Sequence, residues 1–353
     1  MYKLVRKKEK LLFFCIYRVD GLLGGIAIFI NSRNKPHELL HYEALNRRVK
    51  LTKSEDFKYK NAIKGYEGEC LYDRIFDRMG HDYLYIYRDL YLQIGNSCTQ
   101  YDTLIITDQG IISNEVKNFT GNYTIENGTW FNNNYQLPND AFSQLNRSLG
   151  KLMDLRNSGQ SDFNISGKLV FPNDSLVLRT DDSSNCNKII LRSGMREYFR
   201  QLNRSSQRLG NKADYISRLL SQYTVENPYF NPSTDKTRIK IGLYCGSCGH
   251  FNLNRKRFHL VCNKCGSIES NETHLLRAMS DYKFLFYKEE MTRNDLMAFI
   301  DYEISADVVR RVLLEHCFQN KKGNHSTYTL KYFNFDMATQ SPNFNIRYKN
   351  HIK

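Results

Sequence analysis

Asp102, Glu115 and Lys117 are the residues of this chain whose types and spacing best fit a hydrolytic reaction. Breaking a phosphodiester at neutral pH requires an activated water and compensation for the charge that builds at phosphorus. Mg²⁺ or Mn²⁺ supplies both, and carboxylates are the natural hard-oxygen ligands for either ion. A lysine beside them can orient the water or offset charge on the phosphate. Asp102 and Glu115 are the candidate ligands, the Val116 carbonyl is a further oxygen, and Lys117 is the candidate cation. The spacing alone is common, and the same residues would also suit a solvated hairpin end with a surface Glu–Lys pair.

The stretch that must position them reads QYDTLIITDQGIISNEVKN, residues 100–118. Two apolar runs flank Asp108–Gly110, which predicts a β-hairpin. Alternation along a strand puts Glu115 and Lys117 on one face. With a two-residue loop at Asp108 and Gln109, Asp102 lies across from Glu115 with Cβ atoms roughly 5 Å apart. A three-residue loop shifts that pairing by one, and a bulge can restore it.

A second constellation is Cys245-x2-Cys248 followed after thirteen residues by Cys262-x2-Cys265. Two such knuckles match a closed tetrahedral Cys₄ site for structural Zn²⁺. Gly249 and Gly266 follow each knuckle, where a tight turn favours glycine. Arg255, Lys256 and Arg257 lie between the knuckles and can meet phosphates, or simply form a solvated tip.

The 353 residues carry a net charge of +14, and that charge is uneven. Basic residues dominate residues 1–64 and 236–353, whereas acidic residues slightly exceed basic ones in residues 65–235. A mildly acidic centre between basic flanks fits a protein that grips a polyanion. Outside the knuckles, Cys15, Cys70, Cys98, Cys186 and Cys317 show no regular spacing. A secreted disulfide framework is therefore not expected, and a reducing cytoplasm is. The apolar run 11–30 is interrupted by Arg18 and Asp20, so no membrane partner is expected.

Along the chain, residues 1–35 form a basic, apolar lead-in to which no function is assigned. Helical patterning follows from Pro36, and again at about 65–79, where Gly80 ends it and Glu67 and Glu69 sit in the first turn. A strand is expected at 83–93, short strands around an Asn-Gly turn at 121–130, and a long helix from Asn139. Further short strands at 168–171 and 175–178, helices at 192–208 and 212–223, and a linker at 225–237 complete the centre. Three helices at about 272–289, 292–302 and 305–316 precede a strand through Tyr328. Thr292 to Asp295 resembles a capping box. The last of these helices buries Val308, Val309, Val312 and Leu313 and turns Arg310 and Arg311 outward.

Residues 65–144 resemble the nuclease-related domain (NERD) of the PD-(D/E)xK, restriction-endonuclease-like group. The resemblance runs through GYEGE (65–69), TQYDTLIIT (99–107), Gly110-Ile-Ile, NEVKNFTGNY (114–123), Trp130, Pro138 and Gln144. PHELLHYEALNRR upstream resembles a lead-in helix of bacterial members. Tyr101 departs from the aliphatic residue more usual before the aspartate, which keeps bulk at that position. The resemblance implies that Glu69 is the helix carboxylate, Asp102 a strand metal ligand, Glu115 and Lys117 the E-x-K pair, and Gln144 the following helix glutamine. Glu67 is a rival to Glu69.

The implied fold is α/β: a restriction-endonuclease-like mixed sheet flanked by helices, plus a small zinc ribbon and a winged-helix-like α+β C-terminal unit. The expected divisions are 1–60 lead-in with helix, 61–190 nuclease-related domain, 191–236 helical extension and linker, 237–270 ribbon, 271–340 winged-helix-like domain and 341–353 tail. The expected function is a Mg²⁺- or Mn²⁺-dependent nuclease with structural Zn²⁺, acting on nucleic acid, DNA ahead of RNA. Arg255, Lys256, Arg257, Arg310 and Arg311 are the candidate nucleic-acid contacts. The alternative is a non-catalytic nucleic-acid-binding or scaffolding protein with a nuclease-like core.

Overall fold

The computed structural model describes residues 17–20, 26–29, 33–138, 140–159, 161–181, 185–206, 208–322 and 325–341. Most of the lead-in 1–35 and all but the first residue of the tail 341–353 lie outside them. The chain forms two compact units, residues 1–35 with 61–228, and residues 36–60 with 229–353. No helix among the described residues is long and apolar enough to cross a membrane.

The chain opens with strands β1 (Tyr17–Asp20) and β2 (Ile26–Phe29), then helices α1 (His37–Arg48) and α2 (Lys53–Met79). A meander follows in β3 (Tyr85–Ile94), β4 (Ser97–Thr107) and β5 (Gly110–Val116). Next come β6 (Gly121–Glu126), β7 (Thr129–Asn132), β8 (Tyr135–Gln136), α3 (Ala141–Ser158), β9 (Asn164–Phe171) and β10 (Leu176–Thr180). The first unit closes with β11 (Ile189–Leu191), α4 (Met195–Ser205), α5 (Asn211–Tyr223) and β12 (Thr224–Val225).

Its main sheet is mixed, in the order β1-β2-β3-β4-β5-β9-β11, with β12 also on β3. β3, β4 and β5 are antiparallel, and β9 and β11 extend the sheet in parallel. Alternation splits the core. Leu104 and Ile106 pack with Leu152 and Leu155 of α3 and Ile216 and Leu220 of α5. Ile105 packs on the other side with Tyr72 and Phe76 of α2 and Met195 and Phe199 of α4. Helices therefore cover both faces, as a sheet apolar on both sides requires. A smaller sheet, β10-β6-β7-β8, encloses Trp130 against Phe142 and Phe171. Asn127 and Gly128 both take positive φ in its β6–β7 turn, as an Asn-Gly hairpin predicts.

Two boundaries differ from expectation. α2 begins at Lys53, not near Gly65. Thr52 and Glu55 form the reciprocal pair of a capping box, with Thr52 N donating to Glu55 Oε2 at 2.7 Å and Glu55 N to Thr52 Oγ1 at 3.3 Å. Glu67 and Glu69 are therefore mid-helix, and the helix dipole does not account for them. The expected linker also begins with a strand, because Thr224 and Val225 pair with Leu92 and Tyr91.

In the second unit a ribbon of β13 (Leu253–Arg255), β14 (His259–Cys262) and β15 (Ile268–Ser270) leads into α6 (Asn271–Leu285). Then come β16 (Met291–Thr292), α7 (Arg293–Phe299), α8 (Ala306–His316), β17 (Cys317–Lys322), β18 (His325–Leu330) and α9 (Phe335–Gln340). The last three strands form one antiparallel sheet, β16-β18-β17. The Thr292–Asp295 capping box is present, whereas Ser305 opens α8 without a side-chain cap.

α1 belongs to this unit, and Arg48 ties it there. The Arg48 side chain is fully buried. It donates from Nε to Asp281 Oδ2 of α6 and from Nη1 to the carbonyls of Lys240 and Gly242, each at 3.0 Å. Its guanidinium lies 4.1 Å from the Phe299 ring centroid. Burial raises the Asp281 pKa against the pull of Arg48. Arg48→Met leaves that carboxylate buried without its cation and is expected to cost about 3–5 kcal/mol, read from urea unfolding of the full chain. Adding Asp281→Leu should recover much of the loss, since the buried charge goes too.

Candidate active site

The β4–β5 turn sets the site's register. Thr107 pairs with Gly110 and the ladder runs back to Thr103 opposite Asn114, as the two-residue loop predicts. Gly110 has φ +153°, and a Cβ there would fall 2.0 Å from the Asn164 carbonyl oxygen. Beyond Thr103, the Asp102 carboxylate accepts from the Val116 amide at 2.8 Å. That contact holds Asp102 beside the Glu115–Lys117 end of β5.

Glu115 is buried, and Lys117 reaches it from the same strand face at 2.8 Å. Lys117 Nζ also donates to Gln144 Oε1 at 2.8 Å. Asp140 caps α3 by accepting from Phe142 N and Ser143 N, which places Gln144 in the second turn. Gln144 also hydrogen-bonds the Glu115 carboxyl and lines the cleft between α3 and β4, a cavity of about 520 Å³ that Glu115 and Arg147 line with it.

α2 delivers the other side. A Cβ on Gly68 would lie 2.4 Å from that of Asn118, so glycine lets the helix close on the segment just after Lys117. Glu69 is then turned into the protein, and its rival Glu67 is exposed. Arg33 joins Glu69 to the Asp102 main chain. Arg33 Nη1 donates to Glu69 Oε2 at 2.5 Å, Nε to Asp73 Oδ2 at 2.6 Å, and Nη2 to the Asp102 carbonyl at 2.9 Å. Its side chain is only 3% exposed.

Sequence reasoning missed two of these residues. Asp73 lies one helical turn after Glu69, a spacing that shares a helix face and could have revealed it. Arg33 carries no such signal, because it comes from the lead-in and meets the site only through the fold. Beneath the site, Asn114 Nδ2 donates to the Tyr72 hydroxyl at 2.7 Å, and the Tyr198 hydroxyl donates to Asn114 Oδ1 at 2.8 Å. Those bonds fix β5 to α2 and α4.

The charges are crowded. Burial first, and then the Asp102 charge, push the Glu69 carboxyl up to about 8 against the opposing pull of Arg33. The same two causes push Glu115 up to about 7 against Lys117. For Lys117, burial acts downward, but Glu115 and Asp102 together hold the ammonium above its ordinary range. Carboxyls raised in this way mark a pocket short of positive charge, with hard oxygen donors. The donor set fits Mg²⁺ or Mn²⁺ at Asp102 and Glu115.

The four cysteines of the ribbon also converge. Their sulfurs all lie within 4.8 Å of one another, with Cys245–Cys265 at 3.6 Å and Cys248–Cys262 at 3.5 Å. Tetrahedral zinc with bonds of about 2.3 Å requires sulfurs about 3.8 Å apart, so the cluster could hold Zn²⁺. Gly249 and Gly266 take φ of +70° and +72° in the two knuckles. Arg255, Lys256 and Arg257 are exposed at the ribbon tip, and Arg310 and Arg311 are exposed on α8. Glu272, Glu315 and His316 form a second convergent group, in which His316 is already engaged by Glu272 and Tyr332.

Residues 64–172 match the family model of the nuclease-related domain, NERD. That segment includes Glu69, Asp102, Glu115, Lys117 and Gln144 and omits Arg33, the ribbon and the C-terminal unit. No curated protein and no solved structure matches the chain.

Two outcomes follow. The folded state holds protons on Glu69 and Glu115 at pH values where the unfolded chain has lost them. Metal-free protein therefore loses stability as pH rises from the ordinary glutamate value of 4.5 toward about 8. Thermal unfolding at pH 6 and pH 8 should show a larger Mg²⁺ or Mn²⁺ stabilisation at pH 8, and Glu115→Gln should shrink that difference. For the ribbon, elemental analysis should return one zinc per chain, and Cys262→Ser should lower it; wild-type content well below one overturns the zinc assignment.

Proposed function

We propose that the nuclease-related domain of this chain is a divalent-metal-dependent phosphodiesterase acting on nucleic acid, DNA ahead of RNA. The observation that carries the proposal is Lys117, held at 2.8 Å by both Glu115 and Gln144 beside Asp102. An exposed Glu–Lys pair needs no third partner and no burial.

Asp102 and Glu115 would hold Mg²⁺ or Mn²⁺. When bound, the ion supplies a Lewis acid for the phosphate and lowers the pKa of water. The protein's own residues do the rest. Val116 N–H fixes one Asp102 oxygen, and Lys117 fixes one Glu115 oxygen, so both carboxylates present their remaining oxygens in a set direction. Lys117 keeps its proton because Glu115 and Asp102 outweigh its burial, so it serves as a cation that orients water or offsets charge on the phosphate. Gln144 holds that ammonium in place. Arg33 keeps Glu69 and the Asp102 main chain aligned at the edge of the site.

The basic tip at Arg255, Lys256 and Arg257, and Arg310 and Arg311 on α8, are proposed as sequence-independent phosphate contacts. In this reading the C-terminal α+β unit is a winged-helix-like nucleic-acid-binding domain. The reducing cytoplasm expected from the irregular spacing of the cysteines outside the knuckles is the proposed setting.

One observation favours the alternative of a core that holds nucleic acid without cutting it. Arg33 already engages Glu69 and Asp73, so part of the acidic cluster is satisfied by the protein itself. Cleavage of labelled DNA and RNA in Mg²⁺ and Mn²⁺ separates the two. Wild type should cut, and Glu115→Ala, Asp102→Asn and Lys117→Ala should each lower the rate at least ~100-fold. Equal residual cleavage by wild type and all three variants would sink the enzyme.

A further inference from the structure

The cavity beside Gln144 does not end there. A second cavity of about 520 Å³ shares Ser97, Lys151 and Asp154 with it and continues to Ser158 and Tyr223. The two make one groove, with α3 as one wall and the β3–β4 turn as the other. Gln144, Arg147, Lys151, Asp154 and Ser158 fall at helical spacing along a single α3 face. From Gln144 to Ser158 that face is about 21 Å long. At the duplex rise of about 3.4 Å per nucleotide this spans about six nucleotides, and fewer for a stretched strand.

Three features of the groove go beyond what packing needs. Arg147 is exposed and makes no ion pair among the described residues. Lys151 sits one turn further along, with Asp154 at 3.2 Å as its partner. Gly150 stands in the middle of α3, where glycine weakens a helix, yet a Cβ there would meet nothing within 4 Å. No neighbouring element requires that glycine. The open space it leaves faces the cavity, which suits close approach of a ligand backbone.

We infer that this groove binds a single strand of nucleic acid, with Arg147 and Lys151 on its phosphates, Gly150 as the point of closest approach, and Tyr223 as a stacking surface at the far end. The inference rests on the phosphodiesterase reading for its direction, since the near end of the groove is Glu115 and Gln144. A cation pair on one wall and an aromatic ring at the end are the two elements by which proteins hold single strands without reading sequence. Asp154 and Glu115 add negative charge to the same groove, so the phosphates run past Arg147 and Lys151 and are not wrapped on all sides.

The test uses the full chain carrying Glu115→Ala, so that nothing is cut, and a fluorescein-labelled 12-nucleotide single strand alongside its duplex. Anisotropy titrations across salt give affinity and its salt slope. Arg147→Ala with Lys151→Ala should weaken single-strand binding about tenfold or more and flatten the slope of log K against log salt by about 1.4, the value for two lost phosphate contacts. Gly150→Leu should weaken binding comparably while thermal stability holds or rises, because leucine is the better helix former. A purely structural glycine would lose stability instead. Tyr223→Ala should weaken binding, and Tyr223→Phe should retain it.

Unchanged single-strand affinity and slope in the double variant and in Gly150→Leu would overturn the groove, as would a loss confined to the duplex. The two readings fail separately. Wild type that cuts nothing, while these variants still lose single-strand binding, removes the enzyme and leaves the groove. Wild type that cuts with KM unaffected by Arg147→Ala and Lys151→Ala removes the groove and leaves the enzyme.

Discussion

The pairing of Thr103–Thr107 with Gly110–Asn114 is the constraint on which the first unit's chemistry rests. A slip of one residue would turn every β5 side chain to the opposite face. Glu115 and Lys117 would then point where Asn114 and Val116 now pack, and Asp102 would lose the Val116 amide. Three separate features lock this register. Gly110 permits a backbone angle and a closeness to Asn164 that a side chain would forbid. Asn114 is bonded to Tyr72 and Tyr198, and β9 pairs with the whole length of β5. The site is as well defined as that ladder.

A well-defined site can still be electrostatically expensive, and this one is. Glu69 and Asp73 of α2 gather with Asp102 of β4 and Glu115 of β5 against Arg33, Arg88 and Lys117. Burial, and then the Asp102 charge, raise the Glu69 and Glu115 carboxyls. A pocket selected for stability alone would replace some of them with apolar residues, since buried ion pairs contribute little net stability. Their retention with two carboxyls displaced toward neutrality is the pattern expected where charge serves binding or catalysis. Structural networks shift pKa values too, so the geometry around Lys117 has to carry the argument, and its two oxygen partners do.

How legible all this was from sequence depended on distance along the chain. The hairpin, its register and the Glu115–Lys117 face were readable because turn and side-chain period are local. The cysteine knuckles were readable because ligand spacing is itself the signal. Gln144 lies 27 positions after Lys117 and entered only through a family resemblance. The start of α2 was missed although Thr52 and Glu55 spell a capping box, because Gly65 and Gly68 depress helix propensity and drew the boundary to themselves. Gly68 is there for another reason, the close approach to Asn118. Arg33 could not be found at all: no periodicity or spacing connects it to carboxylates 36, 40 and 69 positions later.

Arg48 and Arg33 show why burial of charge alone does not identify a site. Arg48 is enclosed by Asp281, two main-chain carbonyls and the Phe299 ring. Its charge answers to one carboxylate, and the surrounding groups are those of an interior that fixes α1 against α6. The Arg33 side chain is only slightly more exposed, yet it divides its donors among Glu69, Asp73 and the Asp102 carbonyl. All three of those residues belong to the carboxylate cluster of the candidate site. Removing Arg48 leaves the Asp281 carboxylate buried without that partner in an interior, whereas removing Arg33 leaves more negative charge in a pocket already short of cations. The same residue type under similar burial thus acts as a strut in one unit and as a counter-charge in the other, and its partners decide which.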